Sequence, residues 1–124
     1  MPGVIEAGLL VPGLPFEVTV RPGERLAFAA MFVQSNDTFV AVDPQGVALF
    51  DENKRPIEYG AADAMHYWDA GTEIDEPPGV GPNQAPRQAV ANTGPAENGN
   101  VALQDGEFAY PAIAAVIQAS ILPQ

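Results

Sequence analysis

Residues 16–42 read FEVTVRPGERLAFAAMFVQSNDTFVAV, and the period of their apolar side chains decides the fold class. Residues 16–21 (FEVTVR) alternate, placing Phe16, Val18 and Val20 on one face, as in a half-buried strand. Pro22-Gly23 marks a turn. Residues 26–34 (LAFAAMFVQ) then form a nearly continuous apolar run, the pattern of a central strand covered on both faces. The two strands and their turn are expected to pair as a hairpin. Residues 38–42 (TFVAV) supply another short strand.

Outward from this stretch the same reading holds. Residues 47–50 (VALF) follow a Pro44-Gln45-Gly46 turn, residues 51–56 (DENKRP) form a polar loop, and residues 64–68 (AMHYW) and 101–103 are further strands. Residues 112–122 (AIAAVIQASIL) close the chain, with Ile117, Ala119 and Ile121 on one face. Residues 61–67 and 112–119 also suit a helix, since Ala is a strong helix former and Pro111 stands at a favourable helix start. Thirteen prolines and twelve glycines leave few windows long enough for helices. Short strands at regular spacing point to an all-β sandwich or barrel. With 124 residues, the chain is expected to form one domain over 1–124.

Charge narrows the function. Sixteen acids against five bases give a net charge of −11, and Lys54 is the sole lysine. Such a surface repels phosphate backbones and anionic lipid heads, so no nucleic-acid partner is expected. No apolar run is long enough for a membrane span, so no membrane insertion is expected either. The balance suits cation binding, or plain solubility in salt. The absence of cysteine removes thiolate metal sites and cysteine nucleophiles. His66, the single histidine, rules out a multi-histidine site within one chain. It lies in an apolar run and reads as a packed or edge-strand residue rather than a general base.

Two strand ends gather small polar and acidic residues. Ser35-Asn36-Asp37 follows the 26–34 run, where an Asx-turn alone accounts for the composition. Asp69-Ala70-Gly71-Thr72-Glu73 follows the 64–68 strand, with Asp75 and Glu76 just beyond. Two acids around a glycine can curl toward one point and serve calcium, which takes about six to eight oxygens from flexible loops. A solvated acidic loop is the other reading. Residues 69–100, rich in Gly, Pro, Asn, Asp and Glu, are long for a structureless loop, and such loops are usually functional or disordered. Paired carboxylates can also serve a glycosidase. A polar acidic loop is expected to desolvate its acids little, so no raised pKa marks a catalytic acid. No nucleophile-elbow, phosphate-loop or dinucleotide motif appears. An enzyme is not expected.

Taken in order, these motifs resemble the spondin N-terminal domain family. Its animal members carry S-x-D-W-F-V-G-V-D and, further on, D-A-G-T-D; residues 35–43 and 69–73 stand in their place. Bacterial stand-alone members share M-F-V-Q-S-N-D, W-D-A-G-T-E, G-P-N-Q-A-P-R-Q and N-T-G-P-A-E, here residues 31–37, 68–73, 81–88 and 92–97. The likeness covers residue 16 to the C-terminus. It implies an antiparallel β-sandwich resembling a C2 domain, with a calcium ion (Ca2+) held at one end by Asp37, Asp69 and Glu73. Glu73 stands where animal members have Asp, Thr38 where they have Trp, and the animal cysteines are absent.

The resemblance also implies more strands before residue 16 than the short leading stretch, including Val4-Ile5 and residues 8–11, provides. A missing strand leaves a sheet edge open to self-association by strand pairing; the alternative is that the leading stretch caps that edge. The opening MPGVIEAGLLVPG lacks a basic n-region and a long apolar core, so the chain is either cytoplasmic or has lost a signal peptide. The expectation is a secreted or cell-surface calcium-binding adhesion or matrix module with a cell-surface or matrix partner. The alternative is a structural subunit of a homo-oligomer or filament.

Overall fold

The computed structural model describes residues 2–9 and 16–123. Strands account for 33% of it and helix for 9%, and the sheets are antiparallel, so the chain is all-β. The strands are β1 (Pro2–Leu9), β2 (Phe16–Thr19), β3 (Arg25–Leu26), β4 (Ala29–Met31), β5 (Thr38–Val42), β6 (Val47–Ala48), β7 (Tyr59–Gly60), β8 (Met65–Asp69), β9 (Ala102–Leu103) and β10 (Ile117–Pro123). Their contacts divide the chain into two units. One gathers the described parts of 1–28, 42–65 and 111–124, the other residues 29–41 and 66–110.

The first unit is built on a sheet of order β2-β1-β10-β7, with β3 and β6 forming a separate pair. In β10, Ile117, Ala119 and Ile121 are all buried, Ile121 to 2% exposure, which is the face expected from their spacing. The helix alternative for this stretch is met for one turn only. Helix α1 (Ile113–Val116) follows Pro111, and the β-branched residues after it pass into strand. Residues 61–67 divide in the same way, with a 3-10 turn over Ala61–Ala64 leading into β8. The leading stretch is not an open edge. β1 pairs with β2 from Pro2↔Thr19 to Ile5↔Phe16 and with β10 from Gly3↔Pro123 to Leu9↔Ile117, so it fills the place beside them. Residues 10–11 of the stretch singled out above, and the side chain of Phe16, lie outside the described residues.

The expected hairpin does not form. The Pro22-Gly23 turn is present, closed by Glu24 N donating to Arg21 O at 3.0 Å. Beyond it, however, the chain leaves β2, and β3 pairs with β6. The Arg25 guanidinium secures that pairing through Gln45 O and Gly46 O, at 2.8 and 2.9 Å. The 26–34 run is also not a two-sided central strand. Leu26, Phe28, Ala30 and Phe32 turn inward, whereas Ala27, Ala29, Met31 and Val33 are exposed. Alanine at two of the outward positions conceals the alternation, because a small apolar side chain costs little in water.

The second unit holds the sheet β4-β5-β8-β9. β5 is its most buried strand, with Val40 at 2% exposure. Phe39 stacks on Trp68 with centroids 6.5 Å apart, and Trp68 Nε1 donates to Ala41 O at 3.2 Å. Phe32, Tyr67 and Tyr110 pack edge-on or tilted, with centroids 4.7 to 5.8 Å apart. His66 lies exposed on β8, an interior strand of the sheet, and not at an edge.

The corner between β4 and β5 is held by one hydroxyl. Ser35 Oγ donates to Phe32 O at 2.5 Å and accepts from Thr38 N at 3.1 Å, with the residue fully buried. Ser35→Ala leaves the Thr38 amide without that acceptor. It is expected to lower stability by about 1–3 kcal/mol, the cost of an unsatisfied buried group, measured by urea unfolding against the parent chain.

Candidate metal centre

β5 begins at Thr38 and β8 ends at Asp69, and the two are neighbours in one antiparallel sheet. Asp37 and Asp69 therefore emerge at the same end, as their positions after two strands suggested. Asp37 is 8% exposed. Its Oδ2 accepts from Thr72 N and Thr72 Oγ1, both at 2.8 Å, and from Glu73 N at 3.0 Å. Its Oδ1 is buried with no hydrogen-bond partner. Asp69 Oδ1 accepts from Gly71 N at 2.7 Å. Carboxylate oxygens of Asp37, Asp69 and Asp75 lie within 4.8 Å of one another.

Asp75 is held by an uncharged relay. Gln104 Nε2 donates to Asp75 Oδ2 and to Thr38 Oγ1, both at 3.0 Å, and the Thr38 hydroxyl shares a 3.0 Å hydrogen bond with the Tyr110 hydroxyl. Asp75 Oδ1, like Asp37 Oδ1, is buried without a partner. Thr38, fully buried, is thus an interior polar link at this end of the sheet.

The three carboxylates repel. Burial pushes the Asp75 carboxyl up to about 6; the Gln104 hydrogen bond opposes this, and the charges of Asp69, Asp37 and Glu97 add to it. Asp69 is also raised, first by burial and then by the charges of Asp37 and Asp105, against the Gly71 amide. The expectation of little desolvation is therefore corrected. The loop packs back on the sheet end, and its acids lose water although its composition is polar.

Glu73 is placed elsewhere. Its side chain is 1% exposed and does not belong to the group of three. Gln88 Nε2 donates to both its oxygens, at 2.8 and 3.0 Å, and Gly94 N donates to Oε1 at 2.5 Å. Glu76 acts in the same way, accepting from Asn83 N and Asn83 Nδ2 at 2.9 and 2.5 Å. These two acids organise the long loop. Arg87 adds hydrogen bonds to the carbonyls of Gly81 and Gly79, and Gln84 Nε2 donates to Pro77 O at 2.8 Å. The G-P-N-Q-A-P-R-Q run is thus a hydrogen-bonded plug. Its polar side chains stand in for the core contacts that the loop lacks.

Asp37 and Asp69 meet as read from the sequence. Asp75, noted only as a neighbouring acid, takes the third place, and Gln104 and Tyr110 support it. Which of Glu73, Asp75 and Glu76 faces Asp37 is set by non-local pairing. Ile74 N donates to Pro95 O at 2.9 Å, and Asn36 Nδ2 donates to Ile74 O at 2.5 Å. No spacing within the acid run carries that information.

No family model, curated protein or solved structure matches the chain. Among the described residues, no helix is long and apolar enough to cross a membrane.

Proposed function

We propose that the chain is an exported calcium-binding module of adhesion or matrix type, in which one ion ties the β4–β5 corner to the loop after β8. The observation that carries this is the buried Asp37 carboxylate. Three donors fix one of its oxygens, and the other stands without a partner beside two more carboxylates. A buried, unpaired carboxylate oxygen is costly, and a cation offsets both that cost and the mutual repulsion. The 4.8 Å span of the oxygens fits one coordination sphere, since calcium–oxygen distances of about 2.4 Å place opposite ligands about 4.8 Å apart.

Asp37, Asp69 and Asp75 are the proposed ligands, with Glu73 as the anchor that shapes the loop around them. The likeness to spondin N-terminal domains leads to the same end of the sheet, and with it to a C2-like antiparallel β-sandwich and a cell-surface or matrix partner. An affinity of about 10⁻⁴–10⁻³ M is the range of extracellular calcium modules. The role is then structural, with no catalytic step.

The test is thermal unfolding in EDTA and in saturating calcium, with magnesium as control and molecular mass followed alongside. Calcium at about a hundred times its dissociation constant adds about 2.7 kcal/mol, a rise of about 10 °C for a chain of this size. Asp37→Asn keeps an acceptor for Thr72 and Glu73 but removes the charge, and is expected to abolish the rise. An equal response in that variant, or none in the parent, removes the site. A change of mass with calcium indicates linked self-association instead of a purely internal role.

A further inference from the structure

A fourth carboxylate stands beside the three. Residues 96–99 run along 71–73: Glu73 and Ala96 form an antiparallel bridge, Glu97 N donates to Thr72 O at 3.2 Å, and Gly99 N donates to Gly71 O at 2.8 Å. The Glu97 side chain folds back over Gly99, where its Cδ lies 3.3 Å from the place a Cβ would take. Its carboxyl comes within hydrogen-bonding reach of the Asp69 carboxyl.

Glu97 is exposed, and water is open to it. A long acidic side chain with that freedom is expected to swing away from three aspartates. Two carboxylates in contact are held by a proton or a cation between them. The buried, unpartnered Asp37 Oδ1 independently marks the same group as short of a positive charge.

We propose that Glu97 is a fourth protein ligand, closing the Asp37/Asp69/Asp75 site from the 92–100 segment and making it selective for large, oxygen-seeking cations. This rests on the metal reading above and extends it. Four carboxylates, one on a flexible side chain, suit calcium or a trivalent lanthanide, which take many oxygens in adaptable geometry. Magnesium demands a near-ideal octahedron and keeps its water. Because Glu97 sits on a segment paired with 71–73, ion binding also fastens that segment to the site.

The experiment is a titration of the full-length chain with terbium alone, read by tyrosine-sensitised emission, followed by displacement with calcium or magnesium. The parent, Glu97→Gln and Asp37→Asn are compared. The parent is expected to bind terbium and release it to calcium far more readily than to magnesium. Glu97→Gln is expected to bind calcium at least about tenfold more weakly, with a narrowed calcium-over-magnesium preference. Since Glu97 is exposed, its metal-free unfolding midpoint is expected to be no lower than the parent's. Asp37→Asn is expected not to bind. A parent that binds, an Asp37→Asn that does not, and a Glu97→Gln with unchanged calcium affinity overturn the role of Glu97 and leave the three-aspartate site standing. A parent that binds neither ion overturns both.

Discussion

Gly71→Ala is expected to cost about 3–4 kcal/mol and to abolish the calcium response, more than any single ligand substitution does to the fold. Gly71 has φ +71°, a conformation that a residue with a Cβ adopts only at a cost of about 1 kcal/mol. Here there is also no room. A Cβ would lie 2.7 Å from the Gly99 carbonyl carbon and 2.8 Å from Asn100 O, both backbone atoms that cannot rotate aside. Relief requires residues 99–100 to move, which breaks the Gly99 N to Gly71 O hydrogen bond and the pairing beside it. The same residue positions two candidate ligands. Its own amide holds Asp69 Oδ1, and the next two amides hold Asp37 Oδ2.

Gly23→Ala is the control. Gly23 has φ +93° but nothing within 4 Å of its missing Cβ, so its cost is the backbone term alone, about 1 kcal/mol. Urea unfolding of both variants, with and without calcium, separates the two contributions. Equal losses in the two would mean that close packing at Gly71 contributes nothing.

What the sequence revealed depended on whether the cause was local. β5 was legible to the residue, because Thr38–Val42 is bounded by polar corners and buried at nearly every position. The Ile117, Ala119 and Ile121 face was legible from period two. The hairpin was misread because a Pro-Gly turn specifies a reversal, not the partner of the strand that follows; β2 found β1 and β3 found β6. The site divided along the same line. Asp37 and Asp69 follow adjacent strands, and that placement is enough to bring them together. Glu73 and Asp75 are two residues apart in one loop, and their fates diverge through residues 83, 88, 94 and 104, all distant in sequence. A buried glutamate satisfied by amides leaves the same acidic letter as a metal ligand, so composition cannot tell them apart.

In EDTA the chain is expected to lose stability as pH rises from about 4 to above 6, and in saturating calcium to lose little or none. Asp75 titrates near 6 in the folded chain against 3.8 ordinarily, so in that interval the native state holds a proton that the unfolded state has released. Unfolding free energy falls with pH wherever the native state binds more protons. Any stabilisation from the protonated carboxyl is therefore fully present below 3.8 and gone above about 6. Asp69 and Glu97 are raised as well and act in the same direction, Asp69 chiefly by burial and Glu97 chiefly by the charge of Asp69.

Calcium reverses the balance, since it binds the deprotonated carboxylates and competes with protons for them. Its stabilising effect should be small near pH 4 and largest above 6. Unfolding midpoints at pH 4.5 and 7.5, each in EDTA and in calcium, measure this directly. Asp75→Asn, with no proton to lose, is expected to flatten the metal-free slope while keeping an acceptor for Gln104. If the metal-free midpoint instead climbs through this window, or Asp75→Asn retains the parent's slope, the carboxylates at this end of the sheet are not the strained group that the ion is needed to relieve.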